Sequence, residues 1–422
     1  MNRARFGNIL AVRGWALLAA LPLSLAAAAP TPVWIGAWAS AQMQPEARNA
    51  LPAADLADTT LRQTIRVTAD GRRIRIRLSN LAGTAPLTID SVHVARAATP
   101  GAAVNRAGTD RAVRFDGAEL VTIPAGSDYW SDPIDLPVAA LDSLNISFHL
   151  PAAPDRQTGH SASHATSFVI AGNHAADADV PGARRFEHWA HLSGVAVEGG
   201  TAKAAIVALG DSITDGSGST ANANNRWPDV LAERLQRNPR TRGLTVLNAG
   251  IGGNRVLLDG AGPNALSRVD RDVLAQPGVR FVILLEGIND IGTLTREGPV
   301  GAPAHADLVR RLTAAYAQII ERAHQHGTKV ILATLPPFMG AASYHPDAAN
   351  EADRQAVNAW IRANQLANAV IDFDLAIRDP DHPERLLPEF DSGDHLHPSP
   401  SGYRAMGAAI PLALFGHVAI LD

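Results

Sequence analysis

Ser212 stands just beyond an unbroken apolar run, Ala204-Ala205-Ile206-Val207-Ala208-Leu209. A run of this kind reads as a buried parallel strand, and the residues after it emerge at the carboxyl edge of the sheet, where open α/β sheets hold their ligands. A serine placed there is a candidate nucleophile. Its hydroxyl attacks poorly at neutral pH unless a base within hydrogen-bond reach takes the proton, and imidazole is the side chain best matched in pKa. Near the C-terminus, Asp394-His395-Leu396-His397 offers two imidazoles. His397 has an acid three positions before it and Pro398 directly after, so in a short loop Asp394 can fold back and hold the tautomer of the ring. His395 is the rival base. Attack on an acyl group also creates a tetrahedral oxyanion, which needs donors already aimed at it. The glycine-rich segment Asn248-Ala249-Gly250-Ile251-Gly252-Gly253 offers backbone N–H groups without a side chain in the way, and Gly287-Ile288-Asn289-Asp290 offers a side-chain amide. Asp211 is read as fixing the turn that carries Ser212, and Glu286 as a buried, paired carboxylate at a strand end.

Other chemistries fit these residues less well. Asp394, His395 and His397 could ligate a metal, but no second cluster of His and carboxylates accompanies them and the chain has no cysteine. The glycine-rich loops lack the Gly-Lys-Ser/Thr ending of a phosphate loop, and Gly210 and Gly216 lack dinucleotide spacing. There is no Gly-x-Ser-x-Gly elbow, which disfavours an α/β-hydrolase.

The segments Gly210-Asp211-Ser212, Asn248 to Gly253, Gly287-Ile288-Asn289-Asp290 and Asp394 to His397, in this order, resemble the SGNH hydrolases, the GDSL-type esterase and lipase superfamily. The resemblance covers roughly residues 203–420. It implies that Ser212 is the nucleophile, that Asp394 and His397 complete a triad, and that Ser212, Gly253 and Asn289 form the oxyanion hole. The Asp-x-x-His pattern selects His397 over His395. Gly252 stays open as the alternative to Gly253. The resemblance further implies a flavodoxin-like three-layer α/β domain that works without cofactor or metal. Members act on acetylated carbohydrates, aryl esters, lipids, phospholipids and thioesters, so acyl group and alcohol are left open.

The elements that must position these groups alternate. Strand-like runs at 204–209, 244–248, 280–285, 329–334 and 369–373 are separated by helix-like stretches near 226–237, 304–326, 350–367 and 400–414, the pattern of a parallel sheet covered on both faces. From Trp34 to about Val197 the periodicity is instead that of short strands, which predicts an all-β sandwich or jelly-roll. Thr64–Thr68 and Arg73–Leu78 flank Asp70-Gly71 and read as a hairpin. Its Arg73, Arg75 and Arg77 are read as a solvated face, and Gly159–His164 as an ordinary polar loop rather than the lining of a cleft. The expected organisation is a signal peptide over 1–29, a β-sandwich-like accessory domain over 30–198 and a hydrolase domain over 199–422.

The signal rests on Arg3, Arg5 and Arg13, the apolar stretch Trp15–Leu25 and the alanines before Pro30. It predicts export to the periplasm or beyond, with no stable membrane insertion after cleavage. The net charge is −4, and the first 29 residues hold three arginines and no acid, so cleavage leaves −7. An acidic balance without basic clusters argues against nucleic acid as a partner. With no cysteine, disulfides, a thiolate nucleophile and thiolate-bound zinc are excluded. The expected function is an exported serine esterase for short acyl esters, acetyl above all, on a saccharide or other polar small molecule. The alternatives are a lipase or arylesterase preferring longer chains, or a carbohydrate-binding protein with an inactive hydrolase domain.

Overall fold

Five parallel strands form the frame of the second half of the chain, in the spatial order Leu244–Gly250, Ala204–Gly210, Val279–Leu285, Lys329–Ala333 and Ala369–Ile371. By sequence this is 2-1-3-4-5, the flavodoxin-like order. In the computed structural model residues 33–416 are described, with Met1 and Gly7. The export signal expected over 1–29 falls outside that stretch. Strand Ala204–Gly210 is buried along its whole length because both faces are covered. Helices Trp227–Arg237, Ala302–Gln325, Ala348–Ala363 and Pro400–Ala409 supply the cover, each within a few residues of its expected position. Trp227, Leu231, Tyr316, Ile319, Val357 and Met406 face the sheet and are nearly or fully buried.

The first half is built from antiparallel sheets. One contains Ile35–Ala39, Leu192–Glu198, Arg73–Ser79 and Asp128–Trp130; the other runs from Arg184–Phe186 through Ser167–Ala171, Thr59–Arg66, Ser143–Leu150 and Ser91–Arg96 to Arg111–Ala112. Ile65, Ile74, Ile76, Leu78, Ile146, Phe148, Val195 and Val197 fill the core of this half. The expected hairpin is therefore not formed. Thr59–Arg66 lies between Ser167–Ala171 and Ser143–Leu150, whereas Arg73–Ser79 lies between Leu192–Glu198 and Asp128–Trp130. The six residues between the two strands are too many for a tight hairpin turn, and buried Val67 and Ala69 let the chain cross from one sheet to the other.

The arginine face is only partly solvated. Arg73 pairs with Glu198 at 2.7 Å, and Arg75 lies over the Trp34 ring at 4.2 Å from its centroid. Arg77 is buried, donating to Ser193 Oγ at 3.0 Å and Gln276 Oε1 at 3.3 Å, and desolvation pulls its pKa down. Of this face only Arg77 reaches the α/β half, through Gln276, while Arg73 and Arg75 stay partly exposed.

Residues 33–416 lie in one compact unit. Two separate cores meet through a polar seam along the edge strand Leu244–Gly250. Thr68 Oγ1 donates to Val246 O at 3.0 Å and accepts from Val246 N at 3.1 Å, while Thr245 Oγ1 donates to Gly36 O at 2.6 Å. An exposed sheet edge is a liability, and here the β half covers it. Ile35, Ala39 and Met43 cross the seam to join the α/β core.

Candidate active site

The strand Ala204–Gly210 ends in Asp211, whose carboxylate accepts from Ile213 N at 2.9 Å and caps a single helical turn, Ser212–Asp215. Capping by a short acidic side chain fixes this abrupt turn from strand to helix. It leaves Ser212 at the sheet's carboxyl edge, with little of its side chain exposed. The loop after Phe390 brings in His397. His397 Nε2 lies 2.7 Å from Ser212 Oγ, and His397 Nδ1 lies 2.5 Å from Asp394 Oδ2. Facing a carboxylate, Nδ1 carries the proton, so Nε2 presents its lone pair to the serine hydroxyl. Burial opposes charge on Asp394, but hydrogen bonds from the His397 ring and from the His397 and Leu396 N–H groups outweigh it and hold its pKa well below the usual carboxylate range. His395 is directed elsewhere: its Nδ1 pairs with Asp391 Oδ2 at 2.6 Å and its side chain is largely exposed.

The donors converge from the two neighbouring strands. Gly253 has φ of +75°, a left-handed conformation that disfavours any side chain, and a Cβ there would come within 3.2 Å of Ala261 Cβ. Gly252 N donates to Asp215 Oδ2 at 3.2 Å, whereas the N–H groups of Ser212 and Gly253 are committed to no acceptor among the described residues. Asn289 opens the helix Ile288–Leu294 and is fixed at both ends of its amide. Tyr344 Oη donates to Asn289 Oδ1 at 2.6 Å, and Asn289 Nδ2 donates one proton to Asn254 O at 2.8 Å, leaving the second for a ligand. Burial raises the Tyr344 pKa, so the phenol keeps the proton it donates. We expect Asn289→Ala to lower kcat by about two to three orders of magnitude with a smaller change in KM, read from steady-state kinetics on a soluble ester. A loss confined to KM would make Asn289 a ground-state binding group.

Arg268 braces this edge from below. It is fully buried and donates to Gly210 O, Ala249 O, Asn254 Oδ1, Asp272 and Glu286, tying together the ends of the strands that bear the site. Glu286 is thus buried and paired, as its position suggested; desolvation pushes its pKa upward against the pull of Arg268. Asp290 accepts from Val256 N at 2.8 Å and Leu257 N at 3.0 Å and so anchors the loop that follows Gly253. Arg268 and Tyr344 carry no motif in the sequence, because an arginine on a helix or a tyrosine in a loop shows its use only when the partner is in place.

Asp211 has one oxygen, Oδ2, buried without a partner, and desolvation raises its pKa to about 7. Its ordinary value is 3.8, so the folded state holds the proton more tightly than the unfolded chain. The stabilising contribution is complete below pH 3.8 and is lost as pH rises towards about 7. Asp211→Asn keeps the cap without the charge. The variant is expected to retain turnover and to show a smaller fall in Tm between pH 5 and pH 8 than the parent chain; an equal fall would remove Asp211 as its source.

Gly159–His164 departs from its expected role as a plain loop. His160, Ser161 and Ala162 line the cleft over Ser212, a cavity of about 770 Å³ that also takes in Arg255, Arg296, Thr293 and Leu396. His160 is buried, with Nε2 2.8 Å from Asp215 Oδ1. Among the described residues no group of three or more His, Cys, Asp or Glu is arranged to hold a metal ion, and no helix is long and apolar enough to cross a membrane.

Residues 208–405 match the family model of the GDSL-like lipase/acylhydrolase family. The matched segment spans slightly under half of the chain. Among solved structures, a GDSL-like lipase from Bacteroides thetaiotaomicron is similar at 22% identity, covering 50% of this chain and 88% of its own, with a TM-score of 0.37. Axe2, an acetylxylan esterase from Geobacillus stearothermophilus, is similar at 21% identity over 51% of this chain and 95% of its own, with a TM-score of 0.38. No curated protein matches the chain.

Proposed function

We propose that the chain is a serine ester hydrolase that works through an acyl-enzyme on Ser212. The observation that carries this reading is the continuous relay from Asp394 through His397 to Ser212, with contacts of 2.5 Å and 2.7 Å. In the first half-reaction Ser212 Oγ bonds to the acyl carbon while its proton passes to His397 Nε2. Asp394 stays ionised and stabilises the imidazolium. The oxyanion accepts hydrogen bonds from Ser212 N, Gly253 N and the free proton of Asn289 Nδ2. Gly253 is preferred to Gly252 because the latter's N–H is already spent on Asp215. Collapse expels the alcohol, which takes the proton from His397. Water then repeats the sequence from the other side, regenerating Ser212 and releasing the acid.

The substrate we propose is a short acyl ester, acetyl above all, on a saccharide or similar polar alcohol. Glu46, Arg48, Asn49, Ser217, Arg255, Thr293 and Arg296 make much of the cleft wall polar, while Met43, Ile251 and Leu396 supply restricted apolar contact. Phe338 and Trp360, which could have walled an acyl channel, do not line it: Phe338 is fully buried in the core and Trp360 stacks near Tyr316 at 6.0 Å. A polar cleft favours a polar alcohol over a long alkyl chain. The leader over 1–29 would deliver this activity outside the cytoplasm. Comparing kcat/KM for acetyl through dodecanoyl esters of one alcohol, then acetyl release from acetylated xylan and monosaccharides, tests the reading. We expect a maximum at two to four carbons and release from at least one saccharide; a maximum at eight or more with no release would favour a lipase.

A further inference from the structure

Beneath the cleft lies a second histidine–aspartate pair that the acyl-transfer relay does not use. His160 comes from the β half, on the short strand Gly159–His160, which pairs with Trp189–Ala190 and is bridged to Met43. Its ring leans on Trp189 at 5.6 Å, and Trp189 in turn packs edge-on against Trp38 at 4.9 Å, so it is held rigidly. Both ring nitrogens face acceptors: Nδ1 is 3.0 Å from Ala41 O and Nε2 is 2.8 Å from Asp215 Oδ1. A ring that donates from both nitrogens is an imidazolium. The side chains of His160 and Asp215 are each only 3% exposed. Asp215 closes the helical turn that begins with Ser212, and its other oxygen, Oδ2, accepts from Gly252 N at 3.2 Å.

We infer that His160 and Asp215 are a positioning pair for the oxyanion hole, the histidine supplied across the seam by the β half. This inference rests on the esterase reading above and explains what the β half adds to it. Asp215 fixes the Gly252 peptide and thereby aims the next N–H, that of Gly253, into the cleft. The same carboxylate, however, is a buried negative charge beside the place where the oxyanion develops, and alone it would oppose that charge at low dielectric. The His160 imidazolium cancels it. The other charges facing the pair do not replace this service: Arg226 is committed to Asp229 at 2.6 Å, and His164 is kept neutral by burial, which lowers its pKa.

The test compares His160→Gln, His160→Gln with Asp215→Asn, and His160→Asn, with active sites counted by a fluorophosphonate that labels Ser212. Glutamine can still reach Asp215 but carries no charge. Asparagine keeps the Ala41 tether and releases Asp215. We expect kcat per labelled site to fall at least about tenfold in His160→Gln and further in His160→Asn, with KM within about twofold, since a misaimed donor is felt chiefly in the transition state. Adding Asp215→Asn to His160→Gln should recover activity by removing the uncompensated charge. A merely structural role would lower Tm and the labelled fraction while leaving kcat per site unchanged. That outcome overturns the proposal, as does a double variant whose losses multiply. If His160→Gln does not fold, His160→Asn decides alone: unchanged kcat per site would show that only the Ala41 tether matters. Failure of the parent chain to label at Ser212 would strike the esterase reading itself, which separates the two conclusions.

Discussion

Ser212→Ala is expected to lower ester turnover by about six orders of magnitude while the chain keeps its fold. Alanine removes the attacking atom, and no other hydroxyl is in place to take over: within the relay, only Ser212 Oγ meets His397 Nε2. The cost to folding is small, because Oγ makes that one side-chain hydrogen bond and alanine is well tolerated in a helical turn, a net change of about 1 kcal/mol. The two halves of this expectation are measured separately, by turnover of a soluble acetyl ester and by thermal melting. A fluorophosphonate should add its mass to the peptide containing Ser212 in the parent chain and not in the variant. Substantial turnover by pure Ser212→Ala, or labelling confined to another serine, would exclude the acyl-enzyme proposed here.

Much of the α/β half was legible because its strands are buried on both faces. Runs such as Phe281-Val282-Ile283-Leu284-Leu285 have no polar face to confuse with a helix, and each ends in a segment with turn and chemical character. The β half was legible in class but not in pairing. The alternation in Arg73–Leu78 marks a strand, yet period two says nothing of which neighbour it will take, and Asp70-Gly71 turned out to join two sheets. The arginines of that strand alternate like a solvated face but are spent on Glu198, Trp34, Ser193 and Gln276, none of which is near them in sequence. His160 shows the same limit from the side of function. Among serines and histidines it has the composition of a surface loop, and only Asp215, 55 residues away and in the turn that carries Ser212, ties it to the cleft.

His397→Ala should be nearly as damaging as Ser212→Ala, about six orders of magnitude in kcat, and His395→Ala should cost no more than a fewfold. The comparison is exacting because the two rings are two residues apart and each has its own aspartate. His395 bonds Asp391 and His397 bonds Asp394, so neither composition nor an adjacent acid distinguishes them. The loop conformation does. His395 adopts φ of +63°, while Asp391 also accepts from Gly393 N and His395 N, turning that imidazole outward over Gly340. Its side chain is 57% exposed, and a hydrogen bond at such an exposed site contributes at most about 1 kcal/mol. Asp394 instead gathers Leu396 N and His397 N on Oδ1, which draws the chain round until His397 Nε2 meets Ser212 Oγ. Alanine at 397 leaves the serine hydroxyl without an acceptor for its proton, and among the described residues no second imidazole bonds Ser212 Oγ. Measured on one ester, with folding checked by Tm, the pair of variants should differ by at least about four orders of magnitude in kcat. Equal losses would overturn the preference for His397 and reopen the choice between the two rings, and a larger loss at 395 would transfer the role to the Asp391–His395 pair.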